Sequence, residues 1–292
     1  MLRDDFCMFI LSHGRADRIY TLKSLEKAGY TGDWYIVIDD EDETADAYYK
    51  RYGDRVIMFD KLAVSKTFDT ADNFDDRKTI VYARNACFDI AKKLGYTYFM
   101  QLDDDYISFT SRFDKKGAFK QRGLTDLDFI INKTIDFYDR TGADCVAFAQ
   151  GGDFIGGKDG MGKDIRIKRK VMNTLLCSTK RPFQFIGRIN EDVNTYVRLG
   201  QVGKLFITVN FLSINQKQTQ SNKGGMTDIY LDSGTYVKSF YTIMYAPSAV
   251  RITKMGNKDK RIHHKVNWRY AVPCILNERY KKGGEDWLDP RS

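Results

Sequence analysis

Asp103, Asp104 and Asp105 stand in a row where the apolar run "YFMQL" gives out. Three adjacent carboxylates repel one another, so a strand that ends in them needs water or a counterion there. Two chemistries are open. Aspartate is common in turns because its side chain bonds its own backbone, so the triplet could be a solvated acidic loop. It could instead hold a hard divalent cation. Mg2+ and Mn2+ take oxygen ligands, and Mg2+ keeps several waters while bridging one or two carboxylates to phosphate. Asp103 and Asp105 are two apart and share a face in extended backbone, whereas Asp104 points the other way.

A second acid pair, Glu191 and Asp192, follows "GRIN" and opens an amphipathic run. One of them could take the proton of an attacking hydroxyl. Acids at that position also favour a helix N-terminus, and both roles can hold together. His263 and His264 are two of only three histidines. Imidazole also serves Mn2+. With Lys260, Arg261 and Lys265 beside them, they could equally be part of a basic surface.

The elements that must position these groups alternate along the first hundred residues. Apolar runs "FCMFIL", "WYIVI", "RVIMF" and "TYFMQL" read as strands. Between them, residues 18–28 and 78–94 carry apolar positions at helical spacing and end at Gly29 and Gly95. Strands separated by helices predict an α/β fold with a mainly parallel central sheet and helices on both faces. Ligands of such sheets bind at the carboxyl ends of the strands. Three of those ends are polar: Ser12 with His13 and Arg15, Asp39 with Asp40, and the Asp103 to Asp105 triplet. Arg84 and Asn85 fall inside the second helix. Asn is a poor interior choice without a partner, so Asn85 has either a ligand contact or a surface bond.

A helix over 127–138, a strand "CVAFA", a glycine-rich loop "GGDFIGGKDGMGK", a strand near 171–179, a short helix after 190 and a strand "FITV" follow. The loop lacks both the Walker spacing and a GxGxxG that opens a helix, so it reads as a flexible loop or lid. With four prolines and no linker-like stretch, residues 1–215 form the core, and 216–292 a C-terminal extension of the same domain.

No apolar stretch is long enough for a bilayer. The five cysteines are scattered, odd in number and without a CxxC, which predicts reduced thiols and a cytoplasmic setting. The net charge of +8 fits a polyanionic partner. Its distribution says more. Lys163, Arg166, Lys168, Arg169 and Lys170 form one cluster, and a second runs from Arg251 through Lys260 and Arg261 to Arg269. Tyr230, Tyr236 and Trp268 lie among or near these charges; each could stack on a base or belong to the core.

Strand-"SHGR", strand-"DD", helix-"ARN", strand-"DDD" and a later "NED" occur in the order found in nucleotide-sugar transferases of the GT-A fold, which the chain resembles over about residues 5–215. "QTQSNKGGMTDIY" and the basic tail are similar to a narrower group, the phage and eukaryotic glycosyltransferases associated with TET/JBP-type base oxidases. The resemblance implies an enzyme that uses Mn2+ or Mg2+ and a nucleotide-sugar, with UDP as the expected nucleotide. The acceptor it implies is a hydroxymethyl-pyrimidine in DNA, in the host cytoplasm if the chain is phage-encoded. Asp105 would be the metal ligand, with Asp103 as its water- or sugar-contacting partner and His263 as a further ligand. Ser12, Arg15, Asp39, Asp40, Arg84, Asn85, Asp103 and Asp104 would line the donor site. Asp192 would be the base, with Glu191 the runner-up. Arg166, Lys168, Arg169, Lys260 and Arg261 would bind the DNA. The same chemistry on a protein or carbohydrate acceptor, a nucleotidyltransferase and a non-catalytic nucleic-acid-binding module are the competing expectations.

Overall fold

The computed structural model describes residues 1–74, 76–114, 116–150, 167–217, 237–255 and 261–272. Strand β1 (Phe6–Leu11) is buried along its whole length. It pairs in parallel with β2 (Asp33–Asp39) and with β4 (Tyr98–Asp103), and β2 pairs in parallel with β3 (Val56–Phe59). The order β3-β2-β1-β4 means that the chain winds outward in both directions from β1. A crevice opens at the carboxyl ends where the winding reverses, between β1 and β4.

Beyond β4 the sheet is mixed. β5 (Tyr106–Phe113) and β6 (Phe119–Gly123) form an antiparallel hairpin at the far edge. β7 (Cys145–Ala149) runs parallel to β10 (Phe206–Gln216), which is antiparallel to β5 and to the short β8 (Ile167–Lys168). β9 (Leu175–Ser178) lies antiparallel between β4 and β7. The α/β class and the helices on both faces are as expected. A mainly parallel sheet holds only for the half carried by β3, β2, β1 and β4. The 106–123 hairpin reverses direction within six residues, too few for the crossover that a parallel pair needs.

Successive strand residues face opposite ways, and each face has its own core. Met8, Ile10, Met100 and Leu102 pack with Leu25 of α1 (Tyr20–Lys27), Tyr48 of α2 (Ala45–Tyr52) and Ile131 and Ile135 of α5 (Leu127–Thr141). Cys7, Phe9, Leu11 and Phe99 pack with Val81 and Cys87 of α4 (Val81–Leu94) and Val193 and Val197 of α6 (Glu191–Gln201). The short α3 (Lys61–Ser65) follows β3. Cys7, Cys87, Cys145 and Cys177 are buried free thiols; Cys274 lies outside the described residues.

Past β10 come a helix over 237–245 (α7), the antiparallel pair β11 (Val250–Met255) and β12 (Arg261–Val266), and α8 (Trp268–Ala271). Among the described residues no helix is long and apolar enough to cross a membrane.

Candidate active site

The strand register brings the polar ends together. Leu11 of β1 pairs with Asp103 of β4, so Ser12 emerges beside the triplet. The Ser12 hydroxyl donates to Asp104 Oδ2 at 2.6 Å and lies 2.7 Å from the Tyr48 hydroxyl. Arg15 Nε sits 3.2 Å from the same Asp104 oxygen. Thr21 Oγ1 donates to the Asp103 carbonyl and accepts from the Tyr106 amide. Asp104 is therefore buried and fastens the β1 end to the β4 end; Ser12 and Arg15 are its partners.

Asp105 differs. Burial first, then the charges of Asp103 and Asp104, push its pKa up to about 7. Its Oδ1 is buried without a hydrogen-bond partner. A buried carboxylate oxygen left bare beside two other acids is what a divalent cation would satisfy. Among the described residues no three His, Cys, Asp or Glu side chains gather into a metal-holding group. Asp103, Asp105 and His263 thus do not form a three-ligand set. Mg2+ that keeps its waters and uses substrate phosphates needs only one or two carboxylates.

The link to the second acid pair is Arg84, which is 3% exposed. Its NH2 lies 3.4 Å from Asp103 Oδ1 and its Nε 3.0 Å from Glu191 Oε1. One buried guanidinium spans the end of β4 and the start of α6, so both acid clusters belong to one site. Burial alone would lower the Arg84 pKa, but Asp103 and Glu191 outweigh it and hold the group charged. Removing one partner of a buried ionic group is costly. We expect Arg84→Met to destabilise the fold by about 3–5 kcal/mol in denaturant unfolding. The double variant with Glu191→Gln should recover part of that loss; no recovery would mean that the pair is not coupled.

Asn190 precedes α6 in the left-handed region, at φ 64°. Asn tolerates that conformation, which turns the chain sharply before the two acids. Its side chain does not cap the helix; Nδ2 bonds Thr242 of α7 and lies 3.4 Å from His264 Nδ1. Gly187 packs so closely on Asn194 that a Cβ would come within 2.2 Å of its Nδ2, and its φ is +80°. Asp192 Oδ1 accepts from the Val193 amide at 2.7 Å. Burial, reinforced by Glu191, lifts the Asp192 pKa well above the usual carboxylate range, with Lys238 pulling the other way. Burial, with His263 and Lys238 nearby, pushes the His264 pKa down to about 3, so the ring beside Asn190 is neutral. The His263 ring lies against it, centroids 4.3 Å apart.

At the carboxyl end of β2, Asp39 is 6% exposed. It takes His13 Nδ1 at 2.9 Å and Lys61 Nζ at 3.0 Å. Burial would raise its pKa, but these two partners hold it below the ordinary value. His13 is raised, chiefly by its bond to Asp39. Asp40 is exposed, and its Oδ1 accepts from the Lys61 amide at 2.8 Å. Asn85 spends both amide ends on the Phe185 backbone, at 2.8 and 3.0 Å. That meets the need of an Asn inside a helix without any ligand. Lys168 lies on β8 and Arg169 just past it, while Arg261 lies on β12 opposite Met255. Arg166, Lys260, Tyr230, Tyr236 and the glycine-rich loop from 151 to 163 are outside the described residues.

Lys61, Tyr48, Thr21, Gln101 and Asn190 escaped the sequence reading. Gln101 Nε2 donates to the Arg84 carbonyl at 3.0 Å. Apart from Asn190, none of these has a local pattern; their roles exist only once distant segments meet. The left-handed Asn190 had a weak signal in the Asn just before the acid pair.

The raised Asp105 pKa carries a sign. Between its ordinary 3.8 and about 7 the folded protein holds a proton that the unfolded chain releases, so metal-free stability falls as pH rises through that window. In chelator, Asp105→Asn should raise the melting temperature near pH 8, with the gain shrinking toward pH 4. A lower melting temperature at pH 8, or an equal gain at both, would remove the basis for this strain.

The family model described as TET-Associated Glycosyltransferase matches residues 6–225. No curated protein matches the chain in sequence. Similar solved structures include glucosyl-3-phosphoglycerate synthase from Mycobacterium tuberculosis in complex with Mg2+ and uridine diphosphate. It is 10% identical at a TM-score of 0.47, over 89% of this chain and 87% of that one. A mycobacterial protein is likewise 10% identical, at a TM-score of 0.46 over 89% and 83%.

Proposed function

Because this chain belongs to the TET-associated glycosyltransferases, we propose that it transfers a sugar from a UDP-sugar to the hydroxyl of a hydroxymethyl-pyrimidine in DNA, as a modification of phage DNA. The observation that carries the reading is Arg84. It holds Asp103 and Glu191 on one guanidinium, which supports reading the triplet and the acid pair as two sides of one reaction centre. Asp105, with Asp103 beside it, would hold Mn2+ or Mg2+; the bare Asp105 oxygen fits that role. When bound, the cation supplies positive charge against the charge that grows on the departing diphosphate.

The chain's own residues do the rest. Arg15, anchored on Asp104, and His13, anchored on Asp39, would bind and orient the donor at the carboxyl ends of β1 and β2. In an inverting transfer Asp192 takes the acceptor hydroxyl's proton as the sugar carbon is attacked from the far face. Glu191 is committed to Arg84, which leaves Asp192 as the base. A carboxylate whose pKa is raised toward neutrality is a better base at the working pH. The segment after 216 would complete the acceptor side of the same domain, and Lys168, Arg169, Arg166, Lys260 and Arg261 would bind the acceptor's phosphates.

UDP release from UDP-sugars with Mn2+ tests this, measured with hydroxymethylated duplex, unmodified duplex and no DNA. Stimulation by hydroxymethylated DNA alone is expected. Stimulation by a glycan or protein but not by DNA would overturn the acceptor.

A further inference from the structure

A cleft of about 510 Å3 has no member of either acid cluster among its described lining residues. Among the described residues it is lined by Lys168, Arg169, Lys170, Trp268 and Val272. Lys168 at the end of β8, with Arg169 and Lys170 after it, thus shares a cleft with an indole carried by α8. The Trp268 ring stacks on Tyr196, centroids 5.7 Å apart and planes 22° from parallel, yet Trp268 remains 36% exposed. Its short helix is tied down. The Asn267 amide donates to the Ala249 carbonyl at 2.7 Å, the Asn267 side chain caps Arg269, and Gln201 Nε2 donates to the Tyr270 carbonyl. The indole is therefore held in place before any ligand arrives, which reduces the ordering cost of binding.

Tyr196 belongs to α6, the helix that begins with Glu191 and Asp192. Asp192 and Tyr196 are four positions apart on the helix, a rise of about 6 Å. Through Trp268 and Tyr196 the cleft thus adjoins the helix that carries the proposed base. Flat aromatic area beside clustered Lys and Arg is the combination that binds nucleic acid strands, with bases on the rings and phosphates on the cations.

Resting on the DNA reading above, we infer that this cleft holds one unstacked nucleotide of the acceptor strand, its base against Trp268 and its flanking phosphates on Lys168, Arg169 and Lys170. Trp268 and Val272 lie beyond residue 225, where the family match ends. Part of the acceptor grip therefore comes from this chain's own C-terminal segment. An acceptor that must present an unstacked base is bound more tightly as a single strand than as a perfect duplex, because the duplex must first unstack.

Fluorescence anisotropy with labelled hydroxymethylated oligonucleotides, single-stranded and duplex, tests the inference across a salt series. Circular dichroism would check that each variant folds. Lys168→Gln/Arg169→Gln/Lys170→Gln should weaken binding to either form by about 10-fold or more and flatten the salt slope. Trp268→Leu should weaken single-strand binding roughly 10-fold with the slope unchanged, and Trp268→Phe should restore most of it. If the wild type binds DNA with a steep salt dependence and neither variant changes it, the cleft is not the site, though the DNA reading stands. If the wild type binds polyglutamate as tightly as DNA, the cleft recognises charge alone and the inference fails. If the wild type binds no oligonucleotide, the DNA reading itself fails, and this inference with it.

Discussion

Asp105→Ala is expected to lose about 10³-fold or more in turnover, the scale on which removing an electrostatic stabiliser of the departing charge acts. Donor binding should weaken in parallel, because the diphosphate loses the cation that Asp105 would hold. Folding should be little affected, since Asp105 is the member of the triplet whose Oδ1 bonds nothing in the protein. Asp104→Ala would be a different experiment. It removes the acceptor of Ser12 and Arg15 at the junction of β1 and β4, so it should cost stability as well as rate. Steady-state kinetics of Asp105→Ala against a Mn2+ titration separates the two. Full activity of that variant, or of the wild type in chelator, would sink the metal assignment.

Asp192→Asn is expected to keep donor and metal affinity and to lose about 10²–10⁴-fold in kcat, the usual contribution of a positioned general base. The raised Asp192 pKa adds a pH signature. Transfer by the wild type should rise with pH as Asp192 gives up its proton, and the variant should lose that limb. Glu191→Gln should behave otherwise. It removes one of the two carboxylates on Arg84, so its effect should appear in stability and donor affinity as much as in rate. Should Glu191→Gln lose more kcat than Asp192→Asn, the base is Glu191.

What could be read in the sequence, and what could not, divides along contact range. The four strands β1 to β4 and the helices α1, α4 and α5 announce themselves because each buries a continuous run or a periodic stripe, a local property. The convergence of Ser12, Asp39 and the triplet followed from the parallel arrangement alone. The hairpin β5–β6 was missed because β6 is a short, largely exposed edge strand, "FKQRG", with no apolar face to mark it. β9 could be found as a strand, but its antiparallel place between β4 and β7 could not, since pairing order is a tertiary choice. Arg84 shows the same limit. Its position inside α4 was legible, whereas its span from Asp103 to Glu191 depends on two segments 19 and 107 residues away. Whether Asn85 contacts a ligand or makes a surface bond stays open in the sequence for the same reason; its partner, the Phe185 backbone, is 100 residues distant.

The most direct test of the account is mass analysis of nucleosides from hydroxymethylated DNA after incubation with the protein, Mn2+ and a panel of UDP-sugars. The expected product is a hydroxymethyl-pyrimidine nucleoside heavier by one sugar, formed with Mn2+ and absent in chelator and with Asp105→Ala. Unchanged nucleosides alongside metal-dependent sugar transfer to a protein or glycan would contradict it.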